Sequence, residues 1–239
     1  MSLRPVSQPL HQQLRDLMLA RIESGEWSPG TFLPSETRLA EEYGVAVGTL
    51  RKALLDMAAE GLVQRRQGKG TVVSSHDSDA VLFRFFNLRR ADGTTFQPES
   101  RVLGRTCRLA QPEEAQALGL NTNAEVVCIT RVRDGEGEPL IYEHILLDAE
   151  RFGRLVSAPD PLPNTLYQLY QTEFGASVFR ALEQVTAVAA DPDCAKELGC
   201  APRAPVLRVR RVAVDYNDRP LELRISYINT SAIHYHAEI

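Results

Sequence analysis

Arg131 and Arg133 stand two residues apart in the stretch VVCITRVR, in phase with Val127 and Ile129. Alternate residues of a strand share a face, so this spacing sets two guanidiniums among apolar neighbours. A cation in such a place needs a counter-charge, because burying one alone is costly. Carboxylate and phosphate suit it, since the guanidinium offers planar, paired donors. Glu143 falls on the next apolar run, and Arg224 occupies the matching place in an internal repeat. Two readings of these four residues stand. They could line a pocket for a small anion or polyol, with Glu222 and Tyr227 beside Arg224 as further candidates. Alternatively, Glu143 closes an internal ion-pair network with one of the two arginines.

A second concentration of charge lies earlier in the chain. Between Gly44 and Val73 there are five basic residues, Arg51, Lys52, Arg65, Arg66 and Lys69, against two acids. The whole chain has a net charge of −4. Residues 1–75 carry nine basic and eight acidic side chains, net +1, while residues 76–239 carry eighteen and twenty-three, net −5. A local patch is enough for phosphates, which respond mainly to charge within about a Debye length. Taken alone, the cluster is equally well a solvated surface.

Other chemistry has no carrier. Cys107, Cys128, Cys194 and Cys200 show no C-x-x-C spacing, so reduced thiols are expected rather than a zinc knuckle or redox pair. His234 and His236 share a strand face, but a metal needs a third ligand and none is placed. No G-x-S-x-G, Walker or His/Cys arrangement is present, so no catalytic residue, cofactor or metal is assigned. No apolar run reaches the roughly 20 residues of a membrane span, and the N-terminal stretch lacks a secretory apolar region. A cytoplasmic protein without a membrane partner is expected.

The elements that would present the basic cluster are legible from spacing. Leu10, Leu14, Leu17, Met18 and Ile22 predict a helix from about Leu10 to Ser24. Ser35 is an N-cap for a second helix with Leu39, Ala40 and Tyr43 inward and Gly44 at its end. Leu50, Ala53, Leu54, Met57 and Ala58 predict a third helix, which Gly61 ends. Arg51 and Lys52 lie near its start and off its apolar stripe. Two helices joined by a tight turn suggest a helix-turn-helix, whose second helix enters the DNA major groove by its N-terminal end. LVQRR and GTVV then read as two short strands, with Gly68 and Gly70 letting the tip approach a DNA backbone.

The stretch LPSETRLAEEYGVAVGTLRKALLDMAAEGLVQRRQGKGTVV resembles the winged helix-turn-helix of GntR-family bacterial transcription regulators. The resemblance covers about the first 75 residues. It implies DNA contacts from Ser35, Arg38, Thr49, Arg51, Lys52, Arg65, Arg66, Gly68, Lys69 and Gly70. Thr37 and Ala46-Val47-Gly48 depart from the arginine-bearing pattern of many members, which leaves base recognition to Thr49, Arg51, Gly68 and Arg38.

After a polar stretch at Ser74–Ala80, which includes His76 and reads as a linker, the chain repeats itself. AQPEEAQALGLNTNAEVVCITRV (Ala110–Val132) and ADPDCAKELGCAPRAPVLRVRRV (Ala190–Val212) share nine of 23 positions, Arg131/Arg211 among them. One residue later in register, Pro139 matches Pro220. Each copy predicts a short helix from the proline to Leu-Gly, a strand, a polar turn and a returning strand. The pair implies a pseudo-symmetric α+β domain with a largely antiparallel sheet. NTLYQLYQTEFG between the copies predicts a helix with Leu166, Leu169 and Tyr170 inward.

This half resembles the UTRA effector-binding domain of the HutC-type GntR subfamily. The residues that carry the likeness include Arg101–Leu103, Arg131–Arg133, GEPLIYE, TLYQLYQTEFG and RPLELRISY. FRFFNLRRADG is less typical. The resemblance implies a chorismate-lyase-like α/β fold used for sensing. It also implies effector contacts from Arg131, Arg133 and Glu143. The domains expected are therefore a winged helix-turn-helix at 1–75, a linker at 76–81 and an effector-binding, dimerising α+β domain at 82–239. The expected function is a DNA-binding regulator, a repressor, whose dimer reads an inverted repeat in double-stranded DNA and answers to a small polar or anionic metabolite. The rival reading is a chorismate-lyase-like enzyme with a vestigial DNA-binding module.

Overall fold

A computed structural model describes residues 8–74 and 87–237. The chain folds as two compact units, Met1–Val81 and Leu82–Ile239. The expected linker at 76–81, with His76, lies outside the described residues.

The first unit holds helices α1 (Leu10–Glu23), α2 (Glu36–Tyr43) and α3 (Val47–Ala59), then strands β1 (Val63–Arg66) and β2 (Gly70–Val73). Its core is Leu14, Met18, Ile22, Leu39, Ala40, Leu50, Ala53, Leu54 and Met57, all buried. Leu10 and Leu17, expected in the α1 stripe, are exposed instead. Only the i, i+4, i+8 line through Leu14, Met18 and Ile22 is buried, and α1 packs on α3. Leu17 stands off that line, and Leu10 occupies the first turn. The hairpin β1–β2 gains a third chain beside it, because Leu33 N donates to Thr71 O (2.8 Å) and Val73 N to Thr31 O (2.9 Å). The wing is therefore tied to the segment that leads into α2.

The second unit contains β3 (Leu88–Arg90), β4 (Glu99–Leu109), α4 (Pro112–Leu118), β5 (Glu125–Gly135) and β6 (Glu138–Asp148). A connecting stretch follows with α5 (Ala149–Phe152), a 3₁₀ turn (Gly153–Ser157) and α6 (Leu166–Phe174). The chain closes with β7 (Arg180–Ala189), α7 (Pro192–Glu197), β8 (Pro205–Val214), β9 (Pro220–Ile228) and β10 (Ile233–Tyr235). Six strands make one antiparallel sheet in the order β4-β5-β6-β9-β8-β7. The two repeat copies become β4-α4-β5-β6 and β7-α7-β8-β9. They meet at β6 and β9, so the repeat is a pseudo-two-fold and extends one strand further back than the matched residues. Contacts cross the axis reciprocally. Gly119 ends the helix of the first copy at φ +64 against Pro220 of the second, and Gly199 follows the helix of the second at φ +60 against Pro139 of the first.

One sheet face is covered by α4, over Val126, Leu146 and Leu223, and by α7, over Val132 and Tyr142. On the other face, Val127, Ile129, Ile145 and Leu147 pack with Phe152, Leu155, Leu166, Tyr167 and Tyr170. Tyr167 replaces Leu169 as the inward residue of α6; Leu169 is only partly buried. Further along the same face, Ile141, Val209 and Ile228 pack under the β3–β10 ribbon through Leu88 and Ile233. Both faces are thus closed, so β5 and β6 are buried at most positions rather than at alternate ones. The buried charged residues of the sheet, Arg131, Arg133, Glu143, Glu222 and Arg224, lie between the two apolar zones of this second face.

Candidate functional site

The basic cluster is gathered by α2, α3 and the wing. Ser35 is the N-cap of α2, its Oγ accepting from Arg38 N at 3.3 Å. Arg38 is exposed on the first turn of α2. The α3 stripe Leu50-Ala53-Leu54-Met57 faces the core, which turns Arg51 and Lys52 to solvent and leaves Thr49 half-buried. At the wing tip, Lys69 N donates to Arg66 O (3.0 Å), and Gly68 holds φ +71 and Gly70 φ +112, a region that disfavours side chains. Arg65 and Arg66 are adjacent in β1 and therefore point to opposite faces of the hairpin. Sequence reasoning missed one residue that joins these parts. Glu36 Oε2 accepts from Arg51 Nε at 2.9 Å, and Glu36 Oε1 accepts from Arg65 Nη2 at 2.8 Å. Its position one residue after the N-cap was a signal for a helix start, not for this bridge.

The polar strip of the second unit lies on one face of the sheet. Arg131 pairs through Nε with Glu143 Oε1 on the neighbouring strand, directly opposite in register. Glu143 Oε2 accepts from Ser226 Oγ at 3.1 Å, with Arg224 Nη1 at 3.8 Å. Arg224 also grips Glu222 through two bonds of 2.9 and 2.8 Å. Glu222 in turn accepts from the hydroxyls of Tyr167 (3.1 Å) and Tyr170 (2.8 Å). The internal network of the second reading therefore exists, and it uses Arg131. Arg133, one step along, lines a cavity of about 30 Å³ with Glu143, Arg224, Ser226 and Ile141.

The cavity has a second polar wall that the sequence reading did not assign. Arg211 donates to Glu183 Oε1 (Nε, 2.6 Å), and Glu183 Oε2 accepts from Asn87 Nδ2 (3.1 Å) and from the Tyr235 hydroxyl. All four of these residues line the cavity. A signal for Arg211 was present, since it is the repeat counterpart of Arg131. Glu183, Asn87 and Tyr235 had none, because an edge strand and the β3–β10 ribbon bring them in. Two expected contacts move away. Glu222 sits behind Arg224, outside the cavity lining. Tyr227 alternates to the opposite sheet face, where it stacks on Tyr142 at 6.3 Å between ring centroids. The odd spacing from Arg224 to Tyr227 forces this in any continuous strand.

Burial and neighbouring charge set the protonation of this strip. Although desolvation works against it, the Glu143 carboxyl is held far below its ordinary value by Arg131, Arg224 and Arg133. Burial, followed by the charge of Arg131, pushes the Arg133 guanidinium down to about 9. Glu183 is held low against its own burial by Arg211 and the Tyr235 hydroxyl. An anion near Arg133 would offset what disfavours its charge. Among the described residues, no group of three or more His, Cys, Asp or Glu is placed to hold a metal.

A helix-turn-helix with a basic wing, followed by a two-fold α+β domain with a charged cavity, is the architecture of a DNA-binding transcription regulator. Residues 10–73 match the family described as bacterial regulatory proteins, gntR family, and residues 94–234 match the UTRA domain. The chain belongs to these GntR-family regulators with a UTRA domain. It is similar to the HTH-type transcriptional repressor NagR of Bacillus subtilis, with 29% identity over 217 residues, 90% of this chain and 88% of that one. It is also similar to the HTH-type transcriptional repressor STM4068 of Salmonella typhimurium, with 27% identity over 235 residues, 95% of this chain and 96% of that one. Among solved structures, it resembles the ligand-binding domain of a GntR-family regulator from Bordetella bronchiseptica. There the TM-score is 0.59 and identity 33%, over 65% of this chain and 98% of that one. PhnF from Mycobacterium smegmatis aligns over 95% of this chain and 98% of its own, at TM-score 0.57 and 25% identity. Among the described residues no helix is long and apolar enough to cross a membrane.

Proposed function

We propose that this regulator is a cytoplasmic homodimeric repressor of the HutC type. Residues 1–75 grip an inverted-repeat operator, and residues 82–239 bind a small anionic metabolite that changes that grip. Repression is supported by relatives that are named repressors. A closed two-fold dimer is the arrangement that reads a palindromic site. The DNA contacts we assign are Arg38, Thr49, Arg51, Lys52, Arg65, Arg66, Gly68, Lys69 and Gly70, with Ser35 as the cap that starts α2.

The observation that carries the effector reading is the charge of the cavity strip. Among the described residues, four guanidiniums (Arg131, Arg133, Arg211 and Arg224) face three carboxylates (Glu143, Glu183 and Glu222). A carboxylate or phosphate placed at Arg133 offsets the excess, and Glu143, Ser226 and Glu183 accept or donate to ligand hydroxyls. Thermal-shift screening of a metabolite panel tests this. An acid that binds should raise the melting temperature in line with RT ln(1 + [L]/Kd). It should also change DNA affinity by about 1–3 kcal/mol of coupling. Arg133→Ala should abolish the shift. Arg131→Ala is the less clean variant, because it also breaks the buried pair with Glu143. If neutral apolar compounds stabilise the protein and acids do not, the anion reading fails.

A further inference from the structure

We propose that Glu36 is a positioning residue for DNA recognition, holding the recognition helix and the wing in one register by gripping Arg51 and Arg65 at once. Its two carboxylate oxygens are used separately, Oε2 for Arg51 Nε at 2.9 Å and Oε1 for Arg65 Nη2 at 2.8 Å. The three residues come from three elements: the first turn of α2, the second turn of α3 and strand β1. The Glu36 side chain is 28% exposed, against 58% for Arg51 and 41% for Arg65. The acid is therefore the most sheltered member, and the arginines extend past it.

The atoms used decide what remains. With Nε on Glu36, Arg51 keeps its two terminal amino groups, and these are the paired donors that suit O6 and N7 of guanine. A long side chain that is otherwise free would have to lose rotamer entropy on contact. Held by its Nε, it has lost part of that entropy before DNA arrives. The same acid carries a cost. A negative charge close to a phosphate surface weakens attraction to any duplex, whatever its sequence. Glu36 thus trades general affinity for discrimination. It matters more in this chain than the bridge alone suggests, because Thr37 and Val47 put no arginine beside the two it holds.

This inference rests on Arg51 reading a base, so the experiment separates the two. A preferred duplex is first recovered from a random-sequence pool by the unaltered full-length protein. Affinity for that duplex and for a scrambled one of equal length is then measured by fluorescence anisotropy at several salt concentrations. The expected result for Glu36→Gln is opposite changes. Binding to the scrambled duplex tightens by about two- to threefold as an acid is lost, while the preference for the selected duplex falls by about tenfold. In the Arg51→Ala background, Glu36→Gln should leave the preference where Arg51→Ala put it. Equal tightening on both duplexes would show that Glu36 is only a repelling charge, and the proposal would be overturned. If Arg51→Ala itself leaves the preference intact, the base-reading role fails, and this inference fails with it. If Arg51→Ala removes the preference and Glu36→Gln does not, only the positioning role is lost. Should Glu36→Gln fail to fold, the pair Arg51→Ala and Arg65→Ala replaces it. Coupled effects on preference support the shared clamp, and additive effects overturn it.

Discussion

Arg51 and Lys69 are both exposed cations, yet the proposed function gives them different work. Arg51 leaves the recognition helix near its N-terminal end, while Lys69 sits at the wing tip between two glycines. Arg51→Ala should cost about 1–3 kcal/mol of specific binding and blur one position in each half-site. Lys69→Ala should weaken all sequences alike and lower the salt slope by about one phosphate. Neither touches the α3 core stripe, and Arg51→Ala removes only an exposed ion pair with Glu36, so melting temperature should move little; competition binding against single-base variants of a selected site distinguishes the two. In the second unit, Glu143 and Glu183 make an acid-side prediction. Their folded pKa values lie below the ordinary 4.5, so each contributes stability that is complete above that value and is lost as the pH falls through and below it. Urea unfolding from pH 7 down to pH 3 should show it, with a flatter decline in Glu183→Gln. That Arg131, Arg133, Glu143 and Arg224 share one sheet face was legible from spacing and from the repeat. Which arginine would pair and which would line the cavity was not, because partner choice depends on cross-strand register and on what covers the sheet.

At the scale of elements, the apolar periodicity located the three N-terminal helices, and Ser35 and Gly44 located the ends of the second. The repeat located two helix–strand–strand copies. Its glycines carry a test. Gly119 and Gly199 occupy left-handed positions after equivalent helices, each facing a proline of the other copy. A Cβ at either meets that proline no closer than 3.9 Å, so the cost is conformational rather than steric. Gly119→Ala and Gly199→Ala should each destabilise by roughly 1 kcal/mol, and by similar amounts if the pseudo-two-fold is as even as the reciprocal contacts indicate. Far-ultraviolet circular dichroism during urea unfolding would measure both. Strands β4 and β7 were harder to read because edge strands alternate weakly, and most of their residues are half-buried or exposed. The β3–β10 ribbon joins residues more than 140 positions apart, a pairing that no local pattern announces.

For the whole molecule, a net charge of −4 is compatible with DNA binding because the charge is divided unevenly along the chain. The affinity should then come from a few local phosphate contacts rather than from a general positive field. Log affinity should fall linearly with log salt, by about 0.9 for each phosphate neutralised. A dimer on an inverted repeat should show a steeper slope than on a single half-site. Anisotropy on both duplexes, with the stoichiometry taken from analytical ultracentrifugation, checks the proposal. A flat salt response, or one protomer bound per full site, would sink it.

By itself the sequence determined the order of the two units, the helices of the reader, the tandem copies and the face on which the key arginines lie. These are properties of spacing: 3.6-residue and two-residue periods, cap residues and a fixed offset act over a few turns or recur identically. The tertiary structure alone decided the Glu36 clamp and the union of Arg211, Glu183, Asn87 and Tyr235 with the Arg133 cavity. Each depends on where separate elements meet. The meeting of α2, α3 and β1, or of an edge strand with a terminal ribbon, is set by packing of the whole core and leaves no periodic trace in the chain.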